Sequence, residues 1–256
     1  RPDVGSAARE RARAGDTLLC ALLGIYAASI VIEGVLRYAL WSAGLPNALY
    51  LRDAIPVGSM AFLMLRALFT DDRVHLAIAL PAAALIVHAA WAAMLGVAFF
   101  SIAFGLKILM FIPYGMGMWP IVRRRMRSLL DAAAAFLAVT LTGVLANFVL
   151  GQLPWEGLRY ETAFGDVSTT RMWWLAGGIP RLPGFARTSF DAAMVLGVTG
   201  VLTLVRVRGL ALQLLVGCAA LAGIVLTTSK GMSLAFPLAA AVVMTMQRRP
   251  GMDMRW

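Results

Sequence analysis

The chain has 256 residues, 61% of them hydrophobic and 14% charged, with a mean hydropathy of +0.80 and a net charge of +10. A soluble globular domain is about 45–50% apolar and about 25% charged, so this composition excludes one and points to several membrane spans. Ala, Leu, Gly and Val carry the apolarity, which suits packed helices rather than a barrel of alternating strands.

A helix crosses the hydrocarbon core in about 20 apolar residues. On that rule the chain is all-α: a polytopic helical membrane bundle of about eight spans, forming a single domain over residues 1–256. The basic start, RPDVGSAARERARAGD, leads into span one at Thr17–Leu36. This reads as a signal anchor, with a few residues expected before Arg1. Span two is Leu51–Phe69, span three Leu76–Leu95 and span four Phe99–Trp119. Pro113 and Gly115 are expected to kink span four. Span five is Ala132–Leu150, span six Phe190–Val205, span seven Leu210–Thr227 and span eight Met232–Met246.

Orientation follows from the basic residues of the short connections. With the N-terminus in the cytoplasm, that side receives Arg1, Arg9, Arg11 and Arg13, then Arg66 and Arg73, then Arg123, Arg124, Arg125 and Arg127. Arg206 and Arg208 follow, and then Arg248, Arg249 and Arg255. That is fifteen of the 23 Lys and Arg residues. Topology therefore accounts for the positive charge, and nucleic acid is not an expected partner. The cluster at 123–127 also suits anionic lipid head groups. Arginine- and alanine-rich usage suggests a bacterial inner membrane, with the long polar interval at 151–189 facing the periplasm.

That interval holds Trp155, Tyr160, Trp173 and Trp174 together with Arg159, Arg171, Arg181 and Arg187. The tryptophans read as an interfacial belt, or as faces on which sugar rings stack. Within and beside the spans, charges are costly and worth inspecting. Glu33 and Arg37 are spaced to pair along one helix face. Arg52 and Asp53 open span two, either snorkelling to the interface or lining a cavity. Lys107 lies deeper, either packed against a carboxylate or carbonyls, or contacting substrate. His88, alone in an apolar helix, reads as hydrogen-bonded to a neighbour. Cys20 and Cys218 lie in apolar runs and offer no disulfide framework, and no metal-ligand cluster is present in the sequence.

Two outward segments combine fixed positive charge with backbone freedom. The first is RLPGFARTSFD, Arg181–Asp191, with Thr188, Ser189 or Asp191 able to cap the following helix. The second is TTSKGMS, Thr227–Ser233, with Ser229 and Lys230 at the outer membrane face. Helix amino ends offer free N–H groups, and arginine binds phosphate oxygens in pairs. Together the segments suit a phosphate or diphosphate at the bilayer surface.

The pattern Arg-x-x-Gly-Phe before one span, followed about 45 residues later by Ser-Lys-Gly before another, resembles the bacterial O-antigen ligase and O-antigen polymerase family. The positions that carry it are Arg181, Gly184 and Phe185, and Ser229, Lys230 and Gly231. The resemblance implies a membrane glycosyltransferase moving a glycan from an undecaprenyl-diphosphate carrier to an acceptor sugar, either lipid A-core in lipopolysaccharide ligation or a growing polysaccharide. It implies direct displacement with inversion, no nucleotide sugar and no cofactor or metal. It assigns the diphosphate to Arg181 and Lys230, with Arg187 and Arg171 next and Arg52, Asp53, Lys107 and Ser229 as a secondary set. Lys230 stands where the family has arginine. The family's later periplasmic loop, with its catalytic histidine, has no counterpart here, and a longer parent protein is expected. No catalytic residue is assigned; Asp166, Glu161 and Asp191 are the candidates for a general base. The competing readings are a transporter or flippase using Glu33, Asp53 and Lys107 along an internal path, and a non-catalytic membrane subunit whose outer loop docks a partner.

Overall fold

The computed structural model describes the backbone of residues 4–70, 74–162, 165–170, 175–176 and 178–248. Its side chains are described for 14–66, 78–161, 167–170 and 178–248. Among the described residues five helical stretches are long and apolar enough to cross a membrane: Ala14–Val31, Pro46–Arg66, Phe99–Arg124, Met126–Leu150 and Ser189–Arg206. Ile78–Met94 and Leu210–Leu226 are shorter apolar helices. Large apolar side chains such as Trp91, Phe99, Val149, Leu215 and Leu234 are exposed. Hydrocarbon, rather than water, is the solvent that suits such a surface.

Contacts divide the chain into two compact units. Unit one comprises 1–26 and 50–125, and unit two comprises 27–49 and 126–256.

In unit one, the first part of α1 (Val4–Val31) and the end of a 3₁₀ helix (Pro46–Asp53) accompany α3 (Ala54–Thr70), α4 (Val74–Met94), α5 (Phe99–Leu109) and α6 (Phe111–Arg124); α2 (Glu33–Ser42) belongs to unit two. The core is Leu19, Leu63, Ile78, Tyr114, Met118 and Ile121. Gly117 lets α6 approach closely: a Cβ there would stand 2.6 Å from Ile78 Cδ1. Span four is interrupted at Met110, three residues before Pro113. Proline has no N–H for the carbonyl four residues back, here Leu109, and its ring crowds that carbonyl, so the chain ends α5 there and restarts. At the polar end, Asp16 accepts from Arg66 Nη1 at 2.5 Å and from Arg124 Nη1 at 3.1 Å.

Unit two comprises the end of α1, α2 (Glu33–Ser42), α7 (Met126–Leu150), α8 (Ser189–Arg206), α9 (Leu210–Leu226) and α10 (Lys230–Gln247). Its core runs through Leu137, Val144, Leu196, Leu204, Ala220, Ile224 and Phe236. Helix packing in a membrane relies on small residues that admit close approach. A Cβ on Gly200 would lie 2.8 Å from the Phe236 ring, and one on Gly223 would lie 2.9 Å from Leu141 Cδ1. The buried hydroxyls of Thr140 and Thr203 bond back along their own helices, to Phe136 O and Thr199 O, which spares those two donors an unpaired place in an apolar setting.

Two expected features take a different form. Span one is not continuous: Ile32 leaves helical geometry at φ −110°, ψ 24°, and α2 restarts at Glu33. The 151–189 interval is no plain connector, since it carries two antiparallel hairpins among otherwise helical elements. β1 (Arg159–Thr162) pairs with β2 (Gly165–Ser168), and β3 (Leu175–Ala176) pairs with β4 (Ile179–Pro180).

Candidate functional site

The best-organised polar region of unit two lies where the interval's last turn, residues 181–187, meets α2, α7 and α8. Pro183 and Gly184 make this turn, with Gly184 at φ +61°. A left-handed residue costs a side chain about 1–2 kcal/mol, so glycine belongs there. Three separate elements then hold the turn. Asn147, near the end of α7, accepts from Gly184 N at 3.1 Å through Oδ1. Trp155 Nε1 donates to Gly184 O at 3.0 Å, and its ring packs on Phe185 with centroids 5.8 Å apart. Gly34 N donates to Phe185 O at 2.9 Å. The break at Ile32 explains the last contact: an uninterrupted helix would commit the Gly34 N–H to Ile30 O.

Glu33 and Arg37 form the expected pair in buried form. Arg37 Nε and Nη2 both reach Glu33 Oε1, at 2.8 and 2.6 Å, and Nη1 donates to Tyr160 OH at 3.2 Å. The pair therefore ties β1 to α2 as well as bracing one helix end. Thr188 caps α8: its Oγ1 accepts from Asp191 N at 3.0 Å and donates to Asp191 Oδ2 at 2.7 Å. Arg187 and Glu33 both act electrostatically on Asp191. Arg187 thus belongs to a mixed-charge cluster with Glu33, Arg37 and Asp191.

The second motif sits at the start of α10. Thr228 has φ +56°, an uncommon conformation for a β-branched residue, and its Oγ1 is buried without a partner. Ser229 is the N-cap, without a side-chain capping bond, and Lys230 is exposed as the first helical residue. α8 and α10 run in the same direction. A Cβ on Gly197 would meet Met232 Cε, and Gln247 Nε2 donates to Leu204 O and Val205 O at the far ends. The amino ends of both helices, with Arg181 and Arg187 before one and Lys230 on the other, therefore lie at one end of unit two.

Three residues of the secondary set, Arg52, Asp53 and Lys107, lie in unit one, and Ser229 lies in unit two. Lys107 Nζ meets Asp53 Oδ2 at 2.6 Å, and Arg52 Nε lies 3.7 Å from Asp53 Oδ1. One carboxylate serves two cations, which accords with the reading of Lys107 as packed against a carboxylate. Lys107 also borders an apolar cavity of about 390 Å³ lined by Met60, Leu85, Leu106 and Pro113. His88 is exposed on α4. Arg171, Trp173 and Trp174 lie outside the described residues, as does the side chain of Asp166. Glu161 is exposed on β1.

One residue was not singled out from the sequence. Glu156 is 8% exposed, and its Oε1 is buried with no hydrogen-bond partner. Burial pushes its carboxyl above the ordinary value, against smaller opposing effects from Leu153 N–H and the Asn147 amide. The turn that carries it is fixed on both sides. Glu156 N donates to Leu153 O at 2.9 Å, and Thr169 Oγ1 donates to Trp155 O. A glutamate in a polar loop reads as solvated, and only the long-range folding of Asn147, Trp155 and Thr169 around it reveals otherwise.

Compared with protein-family models, curated proteins and solved structures, the chain matches none.

Proposed function

We propose that this chain is the membrane core of a glycosyltransferase of the O-antigen ligase or polysaccharide polymerase type, in a bacterial inner membrane. It takes a glycan from an undecaprenyl-diphosphate carrier at the periplasmic end of unit two and passes it to an acceptor sugar. The observation that carries this reading is the parallel run of α8 and α10, which brings Arg181, Arg187 and Lys230 to the same end. Two helix amino ends and three cations suit a diphosphate, whose charge grows as the glycosyl bond breaks. Strain at Thr228 supports the same turn, since strained backbone persists where the surroundings impose it, often at ligand sites.

The test is binding of undecaprenyl diphosphate by the protein in lipid nanodiscs. Arg181→Ala and Lys230→Ala are each expected to weaken binding by about tenfold or more, the worth of a charge-assisted hydrogen bond of roughly 1.5–3 kcal/mol. Unchanged affinity in both variants would overturn the assignment.

A further inference from the structure

The direct displacement described above needs a group to take the acceptor hydroxyl's proton. The three carboxylates suggested by the sequence do not present a built site among the described residues. Glu161 is exposed on β1, Asp191 is engaged by Thr188 in the cap of α8, and the Asp166 side chain lies outside the described residues. We infer that Glu156 is the general base, its free Oε1 accepting the hydroxyl of the acceptor sugar. This inference rests on the proposed transferase reading and deepens it.

Three observations converge on Glu156. The residue is 8% exposed, and Oε1 is a buried acceptor with no donor. A buried acceptor without a donor is costly, and an incoming hydroxyl supplies what is missing. The residue is also built into the turn clamp. Its neighbour Trp155 holds Gly184 O, and Asn147, whose amide acts on the Glu156 carboxyl, holds Gly184 N. One amide group thus separates the carboxylate from the turn bearing Arg181 and Arg187. Finally, burial raises the carboxyl above an ordinary glutamate, in the direction that suits a base working near neutrality.

The step balances without a co-reactant. The acceptor oxygen forms a bond to the anomeric carbon as its proton passes to Glu156 Oε1. The bond from that carbon to the diphosphate oxygen breaks, and its electron pair leaves on undecaprenyl diphosphate. Glu156 then returns the proton to solvent.

The experiment uses the full chain in nanodiscs, with lipid-linked oligosaccharide purified from the producing cells as donor, with and without sodium azide. Glu156→Gln is expected to lower transfer by about 10²–10⁴-fold, the usual worth of a general base. Its affinity for undecaprenyl diphosphate should be unchanged, and its thermal stability equal or higher. Azide needs no deprotonation, so it should restore turnover in this variant as glycosyl azide. Glu156→Asp should keep partial transfer with an altered pH profile. If Glu156→Gln transfers at more than half the normal rate while Arg181→Ala is inactive, Glu156 is not the base and the transferase reading stands. If Glu156→Gln loses stability and azide does not rescue it, the residue is structural and the inference fails. If the unaltered chain transfers nothing, or Arg181→Ala and Lys230→Ala both bind and transfer normally, the transferase reading itself falls.

Discussion

Gly143 of α7 and Gly184 of the 181–187 turn lie backbone against backbone. A Cβ on Gly184 would stand 2.6 Å from Gly143 C and Val144 N, and a Cβ on Gly143 would stand 2.8 Å from Phe185 N. Neither neighbour can yield, because both obstacles include main chain. Gly184→Ala also forces a left-handed φ on alanine. Left-handed strain of about 1–2 kcal/mol and overpacking of about 1–3 kcal/mol together predict a loss near 2–5 kcal/mol. Gly143→Ala lacks the φ penalty and should cost about 1–3 kcal/mol. Thermal unfolding in a fixed detergent checks both, and an alanine at 184 that melts with the parent would refute the close approach.

The clamp on this turn can be dissected by its two polar holders. Asn147→Ala leaves Gly184 N buried without an acceptor, a loss of about 1–3 kcal/mol. Trp155→Phe keeps most of the ring contact with Phe185 but removes the bond to Gly184 O, so about 1 kcal/mol is expected. Because both act on one residue, their effects should couple by at least about 0.5 kcal/mol in a double-mutant cycle. Strict additivity would show that the two bonds do not restrain a common turn.

Glu33 and Arg37 are buried, which makes their removal asymmetric. Arg37→Met alone strands the Glu33 carboxylate, and Glu33→Leu alone strands the guanidinium; each should cost about 3–5 kcal/mol. Replacing both by apolar side chains removes the desolvation penalty with the pair, and should restore most of the stability. Tyr160→Phe should cost about 1 kcal/mol, through the loss of one hydrogen bond at 3.2 Å. Denaturation of the three variants and the double replacement in one detergent decides this. A double replacement as unstable as either single variant would contradict it.

The helices were legible because each long apolar run buries its own backbone bonds: α8 matches span six to one residue at each end, while α7 shares the end of span five at Leu150 but starts six residues earlier, at Met126. The interruptions were less so. Pro113 did mark a break in span four, yet the break falls at Met110, because proline acts on the carbonyl four residues behind it. The break at Ile32 has no local breaker, and Gly34 lies two residues past it. It accompanies a tertiary contact that it makes possible, Gly34 N to Phe185 O, between residues far apart in sequence. The Arg-x-x-Gly-Phe segment was legible as one of backbone freedom, and the structure adds the reason for its glycine, a left-handed φ and a close approach to Gly143. Glu156 was not visible, because a carboxylate's burial depends on Asn147, Trp155 and Thr169 closing around it.

The raised carboxyl of Glu156 gives stability a pH dependence of definite sign. In the unfolded chain this group titrates near 4.5, and burial moves it upward in the fold. Between those two values the folded state holds more protons than the unfolded state. Stability therefore falls as pH rises through that window, the reverse of a carboxylate in an ion pair. Above the folded value the group is charged in both states, and the cost of burying the charge is present in full. Glu156→Gln has no such charge at any pH. Its unfolding midpoint should exceed that of the parent at neutral pH, and the gap should narrow as pH is lowered toward 4.5. Unfolding in a fixed detergent from pH 4 to 8 measures this gap. Parallel curves for the two proteins would mean that Glu156 is solvated in the fold. A gap that closes at low pH, joined to lost transfer at neutral pH, marks a carboxylate kept at the expense of stability.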